Sequence, residues 1–182
     1  MQKIIASLIL KEKQKTNMIK LEPFTTKDFL QLIHWINSER ELVQFAGPLF
    51  TFPLTEDQLK TYINKEKIDP KKIIDIESGE VIGHCELNFS NKVPRLSRIL
   101  IGDKKFRGKG LGTQIIELMI AEIQNIQPTY KVDLKVFRWN EKALQLYERT
   151  GFIVEPEYTY EYKYKDDEFW TSLHMSKCLN KS

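Results

Sequence analysis

The residues with the most evident chemistry are Phe106-Arg107-Gly108-Lys109-Gly110-Leu111-Gly112, in which three glycines alternate with a lysine and a leucine. They fall between a hydrophobic, strand-like run from Leu96 to Ile101 and an amphipathic, helix-like run from Thr113 to Ile126. Without Cβ atoms, the backbone can turn tightly at the start of that helix. The first N–H groups of a helix have no carbonyl partners, and its aligned peptide dipoles make that end electropositive. Such a loop can hold a phosphate or pyrophosphate on its own backbone, with Arg107 and Lys109 adding charge. The chemistry is that of a nucleotide-phosphate site.

Spacing decides which nucleotide loop this can be. A P-loop needs Gly-Lys-Ser/Thr at its end, but Gly110 is followed by Leu111. A dinucleotide fingerprint needs G-x-G-x-x-G placed directly after a strand, and here the order is Gly108-x-Gly110-x-Gly112 after a connecting segment. Asp133 lies at about the distance at which that fold places its ribose-binding acid, yet it falls near the start of the next strand and not at its carboxyl end. Both loops are a poor fit.

What fits is Arg-x-x-Gly-x-Gly over residues 107–112, followed by Asn140-Glu-Lys-Ala143-Leu-Gln-Leu146-Tyr147-Glu-Arg-Thr-Gly151-Phe152 behind a strand-like segment. The first block resembles the coenzyme A pyrophosphate loop of the GNAT superfamily, the Gcn5-related N-acetyltransferases. The second is similar to that family's N-x-x-A-x-x-L-Y-x-x-x-G-F segment at every named position. Their overall pattern looks closest to the branch that includes ribosomal-protein N-terminal acetyltransferases, which also contains polyamine and antibiotic enzymes.

The resemblance implies acetyl transfer from acetyl-CoA to the primary amine of a protein N-terminus or a small molecule, with no metal. It implies a cofactor cleft formed by Leu100, Ile101, Gly102, Arg107, Gly108, Lys109, Gly110, Leu111, Gly112, Thr113, Asn140, Ala143 and Tyr147. Such a reaction needs a donor for the developing oxyanion and a proton for the departing thiolate. By resemblance, Tyr147 is the general acid. Asn140 is also placed as an N-cap.

The family's strand-four glutamate has no counterpart, because its neighbourhood here reads Leu96-Ser97-Arg98. Glu86 and His84 alternate on the preceding strand and point to one face, so either could serve as base, directly or through water, with Glu86 the first expectation. The family's acceptor side maps to the aromatic loop Phe45–Pro53 and the last hairpin, with Trp35, Phe45, Phe50 and His84 as acceptor-binding expectations. Because that carboxylate is missing, a second reading is an acyl-CoA-binding or sensing module without turnover.

These residues need elements to position them. Thr25-x-x-Asp28 and Thr55-x-x-Gln58 open helices, with an irregular loop between them that exposes Phe45, Phe50 and Phe52. Strands run from Lys72 to Ile76, Val81 to Phe89, Arg95 to Ile101 and Lys131 to Phe137, the first two joined by the Ser78-Gly79 turn. Helices span 113–126 and 140–150, the second closed by Gly151. A hairpin of 158–164 and 168–176 turns at Asp166-Asp167. This order implies an α+β GNAT fold: a splayed mixed sheet of about seven strands flanked by about four helices.

A chain of 182 residues with a net charge of +3 and dispersed basic residues makes one ordinary domain, with no nucleic-acid or membrane partner indicated. Two cysteines and three histidines at unrelated spacings provide neither a disulfide framework nor a metal set. The expectation is a cytoplasmic monomer or homodimer. Residues 1–17 read as an appendage, with the domain running from Met18 to Ser182.

Overall fold

A computed structural model of the chain describes residues 17–179. The appendage expected over residues 1–17 therefore lies almost wholly outside the described residues.

Strand β1 (Ile19–Pro23) leads into helix α1 (Phe29–Trp35). Between them Thr25 and Asp28 form the expected capping box, with the Thr25 N–H and hydroxyl donating to Asp28 Oδ2 at 2.8 and 2.9 Å. Where the sequence suggested only a loop, a second helix, α2 (Glu39–Ala46), follows. Ser38 caps it, accepting the Glu41 N–H at 3.2 Å. Ser38-x-x-Glu41 is itself a capping-box pattern, so the signal was present. Helix α3 (Glu56–Ile63) starts at Thr55 as expected, whose side chain accepts the Gln58 N–H at 3.3 Å.

Then come β2 (Ile68–Asp75), β3 (Val81–Asn88), β4 (Arg95–Ile101), α4 (Leu111–Ile126), β5 (Lys131–Phe137) and α5 (Glu141–Arg149). The chain ends in β6 (Ile153–Val154), β7 (Tyr160–Lys165) and β8 (Glu168–Cys178). The eight strands run in the order β1-β2-β3-β4-β5-β8-β6, with β7 paired to β8. Neighbours are antiparallel except β4 and β5, which are parallel and need a crossover, supplied by α4. The fold is the expected splayed α+β sheet. Short β6 and helix α2 are the additions.

Apolar residues sort into two clusters. One gathers Ile73, Ile82, Leu87 and Leu96 with the inner face of α4: Leu111, Ile115, Ile116, Met119 and Ile123. The other gathers Phe29, Leu32, Leu42, Leu59 and Tyr62 from the three N-terminal helices. Each such side chain contributes about 1.5–3 kcal/mol by leaving water. Together they hold β3 and β4 as a fixed floor.

The feature that makes a site is the failure of β4 and β5 to stay together. Their register has a single pair, Arg95 with Asp133. At that point Arg95 grips Asp133 with two bonds, Nε to Oδ1 at 2.6 Å and Nη2 to Oδ2 at 3.1 Å. His174 Nε2 lies 3.5 Å from the same carboxylate. Asp133, which the spacing test weighed as a ribose-binding acid, instead pins the apex of the splay. Beyond it the strands diverge and a cleft opens.

Candidate active site

The cleft has a volume of about 960 Å³. Its walls are β4, the 107–113 loop, β5, one side of α5, and the Trp35–Pro48 segment. Leu100 lies opposite His84, and the Gly102 N–H donates to the Ile82 carbonyl at 2.9 Å. Alternation along the strand therefore turns the Ile101 backbone toward the gap. Of the three β4-end residues expected to offer backbone groups, Ile101 is the one so oriented. Leu100 lines the cleft but pairs with His84 on β3, and Gly102, expected on the wall, is not part of it and gives its N–H to β3. Gly102 is required for another reason: a Cβ there would lie 1.9 Å from Trp35 Cδ2. The indole thus rests on the end of β4.

The glycine loop starts α4, and its glycines have separate duties. Gly110 sits at the N-cap with φ of +76°, and a Cβ on it would meet nothing within 4 Å. Its outer side faces open space at the positive end of a helix sixteen residues long. Gly112 permits close helix packing, since a Cβ there would come within 2.6 Å of Leu146 on α5. That contact joins the two sequence blocks into one wall.

Of the two loop cations, Arg107 lines the cleft as expected, but its guanidinium is already bonded. Arg107 Nε donates to the Ile101 carbonyl at 2.8 Å and Nη2 to that of Gly102 at 3.3 Å, so its guanidinium ties down the end of β4. The Lys109 ammonium lies over the Phe106 ring, 4.9 Å from its centroid, off the cleft wall. Sequence reasoning missed Lys142 and Arg149, which reach the cleft from α5 beside Gln145 and Leu146. Their helical spacing within the second block was the available signal. With the loop N–H groups they can complement a phosphorylated ligand, so the cleft fits coenzyme A.

Tyr147 and Asn140 both line this cleft. Burial pushes the Tyr147 phenol up to about 12, so it stays protonated at neutral pH. Its ring packs edge-on to Phe152, with centroids 6.1 Å apart. Asn140 occupies the N-cap position of α5, but its side chain makes no capping bond and is left to the cleft. Ala143 and Thr113 lie on the walls as expected.

The polar residues of β3 lie deeper. Glu86 is wholly buried and accepts from Tyr62 Oη at 2.6 Å, from Asn88 Nδ2 at 3.0 Å and from Arg98 Nη1. It does not line the cleft, so the expected base is occupied in structure. Arg98 sits at the β4 bulge with φ of +50°, a conformation that costs a non-glycine residue about 1–3 kcal/mol. Its guanidinium carbon lies 5.6 Å from the Tyr62 ring centroid, and its carbonyl is 3.0 Å from His84 Nδ1.

His84 is equally buried, walled by Phe24 and Phe45 with ring centroids at 4.8 and 5.4 Å. Desolvation lowers its pKa to about 4. It therefore stands behind the acceptor wall as a neutral imidazole. Phe45 and Trp35 reach the cleft as expected, whereas Phe50 is buried against Tyr62 at 5.3 Å and belongs to the core.

Because the folded pKa of His84 lies below its ordinary 6.5, the unfolded chain binds the extra proton first. Its contribution is complete above about pH 6.5 and is lost as pH falls toward about 4. The full swing is about 3 kcal/mol. Urea unfolding at several pH values should show a shallower acid decline in His84→Gln than in the natural chain. Parallel declines would assign the acid sensitivity elsewhere.

Known proteins share both sequence and architecture. The profile of the acetyltransferase (GNAT) family matches residues 30–152. The chain belongs to the GNAT family. It is an N-acetyltransferase, and acetyl-CoA is its acetyl donor. It is 28% identical over 147 residues to the spermidine N(1)-acetyltransferase of Escherichia coli K12, covering 79% of this chain and 77% of that one. Identity to the Vibrio cholerae spermidine N(1)-acetyltransferase is 27% over 160 residues, with coverage of 84% and 91%.

The crystal structure of the V. cholerae spermidine N-acetyltransferase with CoA and spermine superposes with a TM-score of 0.71. That match has 23% identity and covers 88% of this chain and 95% of the other. These relatives are polyamine enzymes, one of the kinds the motif pattern allowed, and they do not single out the ribosomal-protein acetyltransferases. Among the described residues, no cluster of His, Cys, Asp or Glu is placed to hold a metal ion. No helix among them is long and apolar enough to cross a membrane.

Proposed function

We propose that this GNAT enzyme acetylates a primary amine of a polyamine-type acceptor. The observation that carries this reading is its similarity, over most of both chains, to two spermidine acetyltransferases. The acceptor side suits such a ligand: Trp35, Phe45 and Phe137 offer aromatic faces and Glu41 a carboxylate.

Acetyl-CoA supplies the acetyl thioester. The N–H groups of residues 108–113 and the cations of Lys142 and Arg149 hold its phosphates. The Ile101 backbone orients its arm along the unpaired edge of β4. Tyr147 Oη gives its proton to the departing sulfur. Glu86 is held by three donors, so the acceptor amine arrives neutral or loses its proton to water.

Thiol release with a panel of spermidine, spermine, an N-terminal peptide and an aminoglycoside tests the reading. Turnover is expected with the polyamines. Turnover with the peptide alone would replace the polyamine by a protein N-terminus, and acetyl-CoA binding without thiol release from any acceptor would favour the sensing module.

A further inference from the structure

Arg40 projects from α2 into a box of aromatic rings contributed by the other half of the sheet. Its guanidinium carbon lies 4.7 Å from the Trp170 ring centroid, 5.0 Å from Trp139 and 5.9 Å from Tyr164. The fourth side is Glu168, whose Oε1 accepts from Arg40 Nη1 at 2.8 Å and from the Trp170 indole at 2.6 Å. Three aromatic rings and one carboxylate surround the guanidinium. That is the composition of a cation site.

The box adjoins the cleft. Phe137, on the cleft wall, contacts Trp139 and Trp170 with centroid separations of 6.0 and 4.9 Å. Ser172 also lines the cleft, and Trp170 lies two residues away on the same face of β8, about 7 Å along the strand. On the opposite side, Glu41, Gln44 and Phe45 of α2 line the same cleft beside Arg40. The present occupant is replaceable, since the Arg40 and Glu168 side chains are 50% and 43% exposed. The box itself is fixed by buried Trp170 and by Tyr164 stacked on it at 4.2 Å.

We propose that this box is a subsite for the second ammonium group of the acceptor, with Arg40 as the resident cation that the acceptor displaces. The inference rests on the polyamine reading above. An alkylammonium carries the charge the box already selects, and its reactive amine extends past Phe137 into the cleft. Displacing Arg40 also removes a tie between α2 and the β7–β8 hairpin, where Lys165 and Glu39 at 3.8 Å make a second link. Acceptor entry then loosens one of the two polar links between α2 and the hairpin.

The test compares KM for spermidine with KM for a monoamine of similar length in two surface variants. Arg40→Gln removes the competitor and should lower the spermidine KM relative to the monoamine by roughly threefold to tenfold. Glu168→Gln removes the carboxylate and should raise the ratio by a similar factor. Ratios within about twofold of the natural chain in both variants overturn the subsite while leaving the acceptor reading intact. Should spermidine not be acetylated, that reading fails separately, and tryptophan emission during a spermidine titration reports on the box. A saturable change, tighter in Arg40→Gln and weaker in Glu168→Gln, upholds the subsite. Identical responses, or none, reject it.

Discussion

Gly110→Asp leaves a folded chain that has lost its hold on acetyl-CoA. Gly110 has positive φ, which disfavours most side chains, but aspartate is among the residues that tolerate this region. Nothing lies within 4 Å of the added Cβ, so the new group meets no neighbour. The carboxylate instead enters the space before the first turn of α4, where the phosphates are proposed to sit. A unit charge about 4 Å from another costs about 4 kcal/mol at an effective dielectric near 20. Partial exposure reduces this, and an affinity lower by roughly a hundredfold to a thousandfold is expected. Calorimetric titration with coenzyme A, alongside a melting curve, separates lost binding from lost fold. Unchanged affinity in a folded variant would move the pyrophosphate away from this loop.

Tyr147→Phe should cut turnover by about 10²–10⁴-fold while the acetyl-CoA KM changes little. The substitution keeps the ring that packs on Phe152 and removes only the hydroxyl, so the melting temperature should hold. Burial raises the phenol to about 12, which keeps the donor protonated through the neutral and mildly alkaline range. No loss of rate from Tyr147 ionisation is therefore expected below about pH 10. Steady-state rates with spermidine and acetyl-CoA measure both effects. An activity within about twofold of the natural enzyme would reduce Tyr147 to a packing residue.

Most of the fold was legible in the chain because its local signals agree. The apolar period of α4, the hydrophobic run of β4, the alternation in β5 and the glycine after α5 each predict one element, and each is present. Helix α2 was overlooked because Gly47-Pro48 and the aromatic residues nearby suggested a loop, although Ser38 and Glu41 marked its start. Two-residue β6 carries too little pattern to show itself. It exists because β8 extends far enough to pair with it.

The site divides differently. By itself the sequence determined the family and the placing of Tyr147 and Asn140 on one cleft with the glycine loop, because those depend on short motifs, backbone conformation and spacing along one helix. Only the tertiary structure decided which charges are available. Arg107 is drawn to strand-end carbonyls, Arg95 to Asp133 and Arg98 to Glu86, while Lys142 and Arg149 reach the cleft. It also showed that Glu86 and His84 are buried behind the acceptor wall. A side chain's chemical type is written in the chain, but its partner is set by elements distant in sequence, and desolvation and pairing decide whether it can act.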